Sequence, residues 1–198
     1  MDFMQSQTRI NLARSFAGES QARNRYTFYA EQARKEGQEY LARIFETTAD
    51  NEKIHAEQFL EKLKKFSNGS ECNIDIDAGY PYDIGNTAQN LQFAADGELD
   101  EYQNAYPAFA QTAIAEGFHE IAQLWKLIAV VEGLHHRTFV EARKQFLNHT
   151  LYHKEQPTVW RCLNCGYIYT ANAPYETCPV CQKPQGWAMG YVDERSLP

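Results

Sequence analysis

The fold is decided by two stretches of sequence, EGQEYLARIFETTADNEKIH (residues 36–55) and EGFHEIAQLWKLIAVVEGLH (residues 116–135). They align without a gap, and each begins with Glu-Gly and ends with a glutamate three residues before a histidine. Because apolar residues recur in both at steps of three and four, each stretch predicts a helix with one buried face. The alignment indicates an internal repeat whose unit is a pair of helices.

The surrounding sequence predicts two further helices. Residues 7–65 contain no proline and two glycines, and the glycine at 37 predicts a break between two helices. The segment at 67–86 has the composition of a loop and is long enough to run the length of a bundle. The sequence therefore predicts an all-α four-helix bundle with helices at about 7–35, 38–65, 87–116 and 118–147.

The third helix is expected to be distorted. Glu19 lies seven residues before Tyr26, whereas Glu98 lies eight residues before Tyr106 in the corresponding helix. One extra residue can be absorbed by a π-bulge, which is common at functional sites, and a proline in the same stretch predicts a kink. We therefore predict a local distortion of the helix within residues 98–109.

Ionisable residues occupy the faces of the helices that should be buried. In the second and fourth helices, a glutamate and a histidine three residues apart replace apolar residues. Residues at this spacing share a helix face, so each pair can approach one metal centre. The first and third helices add three glutamates. The candidate ligands are Glu19, Glu52, His55, Glu98, Glu101, Glu132 and His135.

This set of residues predicts two metal ions. One ExxH motif or a lone glutamate is common on a solvated helix face. Two ExxH motifs at the same register of a repeat, each with a glutamate one helix earlier, are the pattern of di-iron or di-manganese bundles. Five buried carboxylates without counter-charge would be very costly, and two divalent cations would supply four positive charges. Carboxylates with imidazole suit iron or manganese and also accept zinc, so the residues alone leave the metal open.

Four of the five cysteines form two CxxC pairs, Cys162 with Cys165 and Cys178 with Cys181. Without a secretory signal, such pairs predict a tetrahedral thiolate site for zinc or iron in preference to disulfides. A zinc site would only stabilise the fold, whereas iron can transfer electrons. Beside a di-iron bundle we expect one iron, with zinc as the alternative. Cys72 stands alone and is most simply a free thiol in a loop.

These patterns divide the chain into three parts. Residues 1–150 form the predicted bundle, residues 151–158 a linker, and residues 159–198 a small metal domain of short β-strands and turns. The net charge of −7 arises in the first 156 residues, because the remainder carries three basic and three acidic side chains.

Composition also excludes some classes of partner. The sequence lacks the basic stripe that nucleic-acid binding requires. It has no run of 18 apolar residues to span a membrane, and the polar segment 1–9 lacks the apolar core of a secretory signal. We therefore expect a cytoplasmic protein without nucleic-acid or membrane partners.

The sequence resembles the rubrerythrins over nearly its whole length. The resemblance rests on FAGESQARNRY (16–26), the ExxH pairs, IAVVEGLHHRTF (128–139) and the cysteine module. It implies a ferritin-like di-iron domain followed by a rubredoxin-like domain, with the seven candidate residues as di-iron ligands. It also implies that one iron moves between the positions of Glu101 and His55 as its oxidation state changes. Two further residues match tyrosines that lie just outside the ligands, although plain core packing is the alternative. They are Tyr26 and Tyr106.

The resemblance further implies a function. It suggests a peroxidase that reduces hydrogen peroxide to water in defence against oxidative stress. The rubredoxin-like iron would relay electrons from a separate NAD(P)H-linked reductase or rubredoxin-type carrier, within a homodimer. Ferroxidase or iron-storage activity is the alternative, and a regulatory zinc-ribbon protein is a third. One departure from rubredoxins is Gln182, which stands after the last cysteine where glycine is usual.

Overall fold

The computed structural model describes residues 1–70 and 73–190, so Cys72 and the end of the predicted metal domain lie outside the described residues. Within the described chain, none of the helices is both long and apolar enough to cross a membrane. The α-helices are α1 (Gln7–Lys35), α2 (Glu39–Phe66), α3 (Thr87–Asp100), α4 (Tyr106–Glu116) and α5 (His119–Leu147).

The third helix of the bundle contains the predicted distortion. A π-helical turn at Glu101–Ala105 joins α3 directly to α4. A π-helical turn accommodates one more residue than α-helical geometry would, which matches the extra residue between Glu98 and Tyr106. Both of these side chains are consequently buried, at 1% and 2% exposure.

Two apolar clusters lie on either side of a polar layer in the bundle. Along α2, Phe45 belongs to one cluster and Phe59 to the other, and Glu52 lies between them. Along α5, Trp125 and Phe139 flank the second ExxH motif in the same way. The ionisable residues therefore lie in the middle of the bundle, shielded by apolar side chains at both ends.

The glutamates that begin the repeats tie the two helix pairs together. At the end of α4, Glu116 accepts hydrogen bonds from the backbone amides of Gln7 (2.9 Å) and Thr8 (2.8 Å) in the first turn of α1. After α1, Glu36 accepts from the amide of Thr87 at 3.1 and 3.2 Å, at the start of α3. Each glutamate caps the first helix of the other pair, where the helix dipole favours negative charge.

The cysteine module is a small antiparallel sheet. Its strands are β1 (Thr158–Cys162), β2 (Ile168–Ala171) and β3 (Ala188–Gly190), in the order β2-β1-β3. Trp160 in the central strand is 1% exposed and forms the core of this module. This arrangement of short strands confirms the predicted fold of the C-terminal part, whereas the exact domain boundaries stay a prediction.

The cysteine module packs on the turn between α1 and α2. A Cβ atom at Gly186 would lie 1.8 Å from the backbone oxygen of Gly37, so only glycine fits this approach. The hydroxyl of Tyr152 donates to Oε1 of Gln38 (3.1 Å), and Leu151 is buried in the apolar cluster of the bundle. The start of the predicted linker is therefore packed against the bundle.

Candidate metal centres

Four helices contribute to the polar layer of the bundle. One side chain comes from α1, two from α2, one from α3 and two from α5. None is more than 8% exposed, although glutamate and histidine usually prefer water. These residues are Glu19, Glu52, His55, Glu98, Glu132 and His135.

The six side chains form two groups of four donors that share two carboxylates. Within each group, the donor atoms lie within 4.8 Å of one another. We name the groups after their histidines. The His55 position comprises Glu19, Glu52, His55 and Glu132, and the His135 position comprises Glu52, Glu98, Glu132 and His135.

The two shared carboxylates face both positions. Oε2 of Glu52 lies 2.9 Å from Nδ1 of His55, and its Oε1 lies 3.2 Å from Nδ1 of His135. Glu132 mirrors this, with Oε1 at 3.0 Å from the first histidine and Oε2 at 2.8 Å from the second. Each carboxylate presents one oxygen to each position, as required to bridge two cations about 3.5–4 Å apart.

Within the described residues, several buried atoms of this layer make no hydrogen bond, although some of them lie close to a histidine nitrogen. They include Oε2 of Glu19, Oε1 of Glu52, Oε2 of Glu98, both carboxylate oxygens of Glu132 and Nδ1 of His135. Leaving such atoms unpaired is costly, and the cost is larger for charged groups. Two divalent cations would pair with these same atoms, so the residues present fit two metal ions.

Burial and mutual repulsion raise the pKa values of carboxylates in this layer. Burial raises the pKa of Glu19 and Glu98 well above the ordinary value, and neighbouring carboxylates raise it further. Burial alone would lower the pKa of His55, but the carboxylates of Glu132 and Glu52 beside its Nδ1 raise it to about 9. Metal ligands must be deprotonated, so metal binding to this layer must release protons.

Glu101 lies outside both groups of donors. It is the first residue of the π-helical turn and is partly exposed. It lines the same cavity as Tyr106, whose hydroxyl donates to Glu19, so it lies on the side of the His55 position. The structure thus gathers six of the seven predicted ligands and holds the seventh beside one of the two positions.

Two tyrosines each hold, from the other helix pair, one of the carboxylates that belong to a single metal position. Tyr26 on α1 donates a hydrogen bond to Oε1 of Glu98, and Tyr106 on α4 donates to Oε1 of Glu19. Burial raises the pKa of both phenols well above 10, so they remain donors at neutral pH. The tyrosines are therefore both core residues and partners of the carboxylates.

The four cysteines come together as the spacing predicted. Sγ of Cys162 lies 3.6 Å from Sγ of Cys181, and Sγ of Cys165 lies 3.7 Å from Sγ of Cys178. Metal–sulfur bonds of about 2.3 Å in a tetrahedron place the sulfurs about 3.8 Å apart. A disulfide would require about 2.05 Å. The cysteines therefore fit one tetrahedral metal ion.

In each CxxC segment, the residue after the second cysteine has a left-handed backbone conformation. Gly166 has φ of 76° and its amide donates to the carbonyl of Cys162 (2.9 Å). At the equivalent place in the second turn, Gln182 has φ of 60° and donates to the carbonyl of Cys178 (2.9 Å). Glutamine thus keeps the turn geometry in spite of a conformation that favours glycine.

Sequence reasoning missed two polar residues near the bundle site. Nδ2 of Asn51 lies 3.1 Å from Nε2 of His135. Arg25 is 8% exposed and lines a cavity of about 330 Å³ that reaches Glu101 and Tyr106, and its Nε and Nη1 have no hydrogen-bond partner within the described residues. Neither residue belongs to a recognisable spacing pattern, because each acts between helices that are distant in sequence.

The fold and the sites define a class of protein. It is a ferritin-like di-iron carboxylate protein with a C-terminal rubredoxin-like domain. A family profile described as "Rubrerythrin" matches residues 11–143, and one described as "Rubrerythrin, rubredoxin-like domain" matches residues 160–186. The chain belongs to the rubrerythrin family.

Individual relatives agree with this assignment. Rubrerythrin-1 of Clostridium acetobutylicum is 40% identical over 182 residues, covering 92% of this chain and 93% of the relative. The rubrerythrin of Clostridium perfringens is 42% identical over 184 residues, with coverages of 92% and 93%. A structure of fully reduced, all-ferrous nigerythrin has 28% identity and a TM-score of 0.63, covering 96% of this chain and 94% of that one.

Proposed function

We propose that this rubrerythrin is a peroxidase that reduces hydrogen peroxide to water in defence against oxidative stress. The reaction consumes one peroxide, two electrons and two protons and yields two waters. The observation that carries the proposal is the pair of adjoining metal positions bridged by Glu52 and Glu132. When bound there, two ferrous ions supply one electron each to the O–O bond and polarise it as Lewis acids.

The proposed ligands of this pair are Glu19, Glu52, His55, Glu98, Glu101, Glu132 and His135. In the proposal, Glu101 and His55 alternate at one position as the oxidation state changes. The location of Glu101 supports this exchange, because it lines a cavity with Tyr106, which donates to Glu19 of the His55 position.

The remaining residues orient the carboxylates and control access. Tyr26 and Tyr106 each fix one carboxylate oxygen, of Glu98 and Glu19 respectively, which would leave the other oxygen to hold a metal ion. The cavity beside Glu101 is large enough for a small polar oxidant and is partly lined by the guanidinium of Arg25. The apolar clusters on both sides limit other routes for water.

Cys162, Cys165, Cys178 and Cys181 would hold the iron that supplies electrons to the bundle. The cysteine module packs at Gly37, and Glu52 lies fifteen residues further along the chain. At 1.5 Å per residue this is a separation of about 22 Å along α2. A head-to-tail homodimer would shorten the path by bringing one module to the partner subunit's bundle.

The proposed homodimer has a candidate contact surface on α5. Leu127, Val130 and Leu134 share one face of the helix and are 58%, 60% and 51% exposed. Such an apolar stripe is costly to leave in water and is typical of an interface. An external protein, either an NAD(P)H-linked reductase or a rubredoxin-type carrier, would supply the electrons to the cysteine module.

The function is tested by comparing two variants under steady-state and single-turnover conditions. Cys162→Ser should abolish turnover with a reductase, yet its prereduced bundle iron should still be oxidised once by peroxide. Glu52→Ala should lose the bundle iron and all peroxidase activity while keeping the colour of the thiolate iron, which also reports correct folding. Steady turnover by the first variant or full activity of the second would contradict the proposal.

Ferroxidase or iron-storage activity is the alternative that the ferritin-like bundle supports, since the fold is also similar to that of a bacterioferritin. It predicts that the reduced protein reacts faster with oxygen than with peroxide and binds iron beyond the bundle pair. Sizing of the native particle separates a storage cage from a dimer.

A further inference from the structure

The two histidines of the bundle differ in how their outer ring nitrogens are held. Nδ1 of each ring faces the shared carboxylates. Nε2 of His135 also lies 3.1 Å from the side-chain amide of Asn51, across the interface between α5 and α2. In the repeat, Asn51 aligns with Val131, which has no hydrogen-bonding group to offer His55.

A side-chain amide can form a hydrogen bond with Nε2 of a histidine whether or not that nitrogen carries a proton. When Nδ1 binds a metal, the ring proton is on Nε2 and requires an acceptor. Oδ1 of Asn51 provides it after a half-turn of the amide, since the oxygen and nitrogen occupy equivalent places. Without metal, Nδ2 can donate to Nε2 of His135, as in the present arrangement. Val131 provides neither interaction to His55.

A second asymmetry affects the same pair of positions. Glu101 has no carboxylate counterpart in the first repeat, where Gln21 and Ala22 occupy the equivalent places on either side of the π-helical insertion. Among the described residues, the His55 position therefore has a histidine without an outer amide partner and a spare carboxylate nearby. The His135 position has a histidine held by an amide and no spare carboxylate.

We propose that Asn51 is a positioning residue that makes His135 a permanent metal ligand, whereas Val131 leaves His55 free to exchange. This inference rests on the ligand assignment of the proposed function. The repeat would otherwise make the two positions equivalent, and the difference between Asn51 and Val131 explains why ligand exchange is confined to one of them.

The test uses zinc as a diamagnetic probe in the full chain, with the four-cysteine site already filled. In ¹⁵N-labelled protein, long-range imidazole spectra identify which ring nitrogen of each histidine carries the proton. We expect Nε2–H of His135 to exchange slowly with water and that of His55 to exchange rapidly. Asn51→Leu should accelerate the exchange at His135 at least about tenfold and weaken zinc binding about 10- to 100-fold.

Three further variants separate hydrogen bonding from packing. Asn51→Asp keeps an acceptor and should restore slow exchange at His135. Val131→Asn should slow exchange at His55, whereas Val131→Leu, the matched control without an acceptor, should not. Asn51 is exposed, so its replacements are expected to fold.

The outcomes distinguish the inference from the proposed function. If the wild-type histidines do not bind zinc through Nδ1, the ligand assignment itself is wrong. If they bind zinc but Asn51→Leu exchanges and binds like the wild type, Asn51 has no positioning role and the inference is overturned.

Discussion

Replacing Glu116 by alanine should destabilise the contact between the two helix pairs. Its Oε1 accepts from the amide of Gln7 (2.9 Å), and its Oε2 accepts from the amide and hydroxyl of Thr8 (2.8 and 2.5 Å). Loss of a helix cap costs about 0.5–2 kcal/mol, and loss of a favourable charge at a helix N-terminus costs about 0.3–1 kcal/mol. We expect the free energy of unfolding to fall by about 1–3 kcal/mol in total.

Differential scanning calorimetry of the metal-loaded protein measures this effect. For a chain of this length, a loss of about 1–3 kcal/mol lowers Tm by about 2–12 °C. Glu36→Ala should have a smaller effect, since Glu36 caps α3 through the single amide of Thr87. Glu57→Ala is the matched control, because Glu57 is exposed and has no hydrogen bond or ion pair within the described residues. A Tm change in Glu116→Ala no larger than the control would refute the capping role.

The same cap predicts a pH dependence. Slight burial alone would raise the pKa of Glu116, but the hydrogen bonds from Thr8 and Gln7 outweigh it and lower the pKa. A carboxylate with a lowered pKa stabilises the fold fully above its unfolded pKa of about 4.5, and the stabilisation is lost as pH falls through the folded value. The difference in stability between wild type and Glu116→Ala should therefore be constant from pH 5 to 8 and shrink below about pH 4.5.

Three other predictions concern packing, ligand orientation and metal. Gly186→Ala should push the cysteine module away from the turn at Gly37 and speed hydrogen exchange of the backbone amides in that turn, while the thiolate iron is kept. An unchanged rate of amide exchange would mean that the contact is loose. Tyr106→Phe leaves a buried oxygen of Glu19 unpaired and should cost about 1–3 kcal/mol by calorimetry, whereas Tyr102→Phe, which removes no hydrogen bond within the described residues, should be neutral. Chelation of the bundle metals should lower Tm, because it exposes the repulsion among buried carboxylates; an unaffected Tm would argue against metal in the bundle.

Much of the bundle could be predicted because the two repeated halves of the sequence can be compared with each other. The seven-residue spacing of Glu19 and Tyr26, set against the eight-residue spacing of Glu98 and Tyr106, predicts a distortion in the segment where the π-helical turn at Glu101–Ala105 lies. The ExxH motifs predict the buried layer for a similar reason, since a repeated polar interruption of an apolar face has few physical explanations.

The features that escaped prediction depend on how helices meet in space. The repeated Glu-Gly start was visible, but the capping roles of Glu36 and Glu116 require knowing which helix begins beside them. Asn51 reaches His135 across eighty-four residues of sequence, and nothing local marks it. Likewise, only the packed structure shows Glu101 outside the two donor groups, because spacing alone cannot resolve which side chains meet at a shared centre.

The central claim is that peroxide takes electrons from a pair of metal ions in the bundle. The cysteine module then returns electrons to this pair. The most direct test of this claim is metal analysis with stopped-flow spectra of the fully reduced protein mixed with one equivalent of peroxide, or with oxygen. We predict about three irons per chain, rubredoxin-like bands, and bundle oxidation that is much faster with peroxide than with oxygen. Zinc at the cysteines, preferential reaction with oxygen, and accumulation of iron beyond the bundle pair would contradict the account.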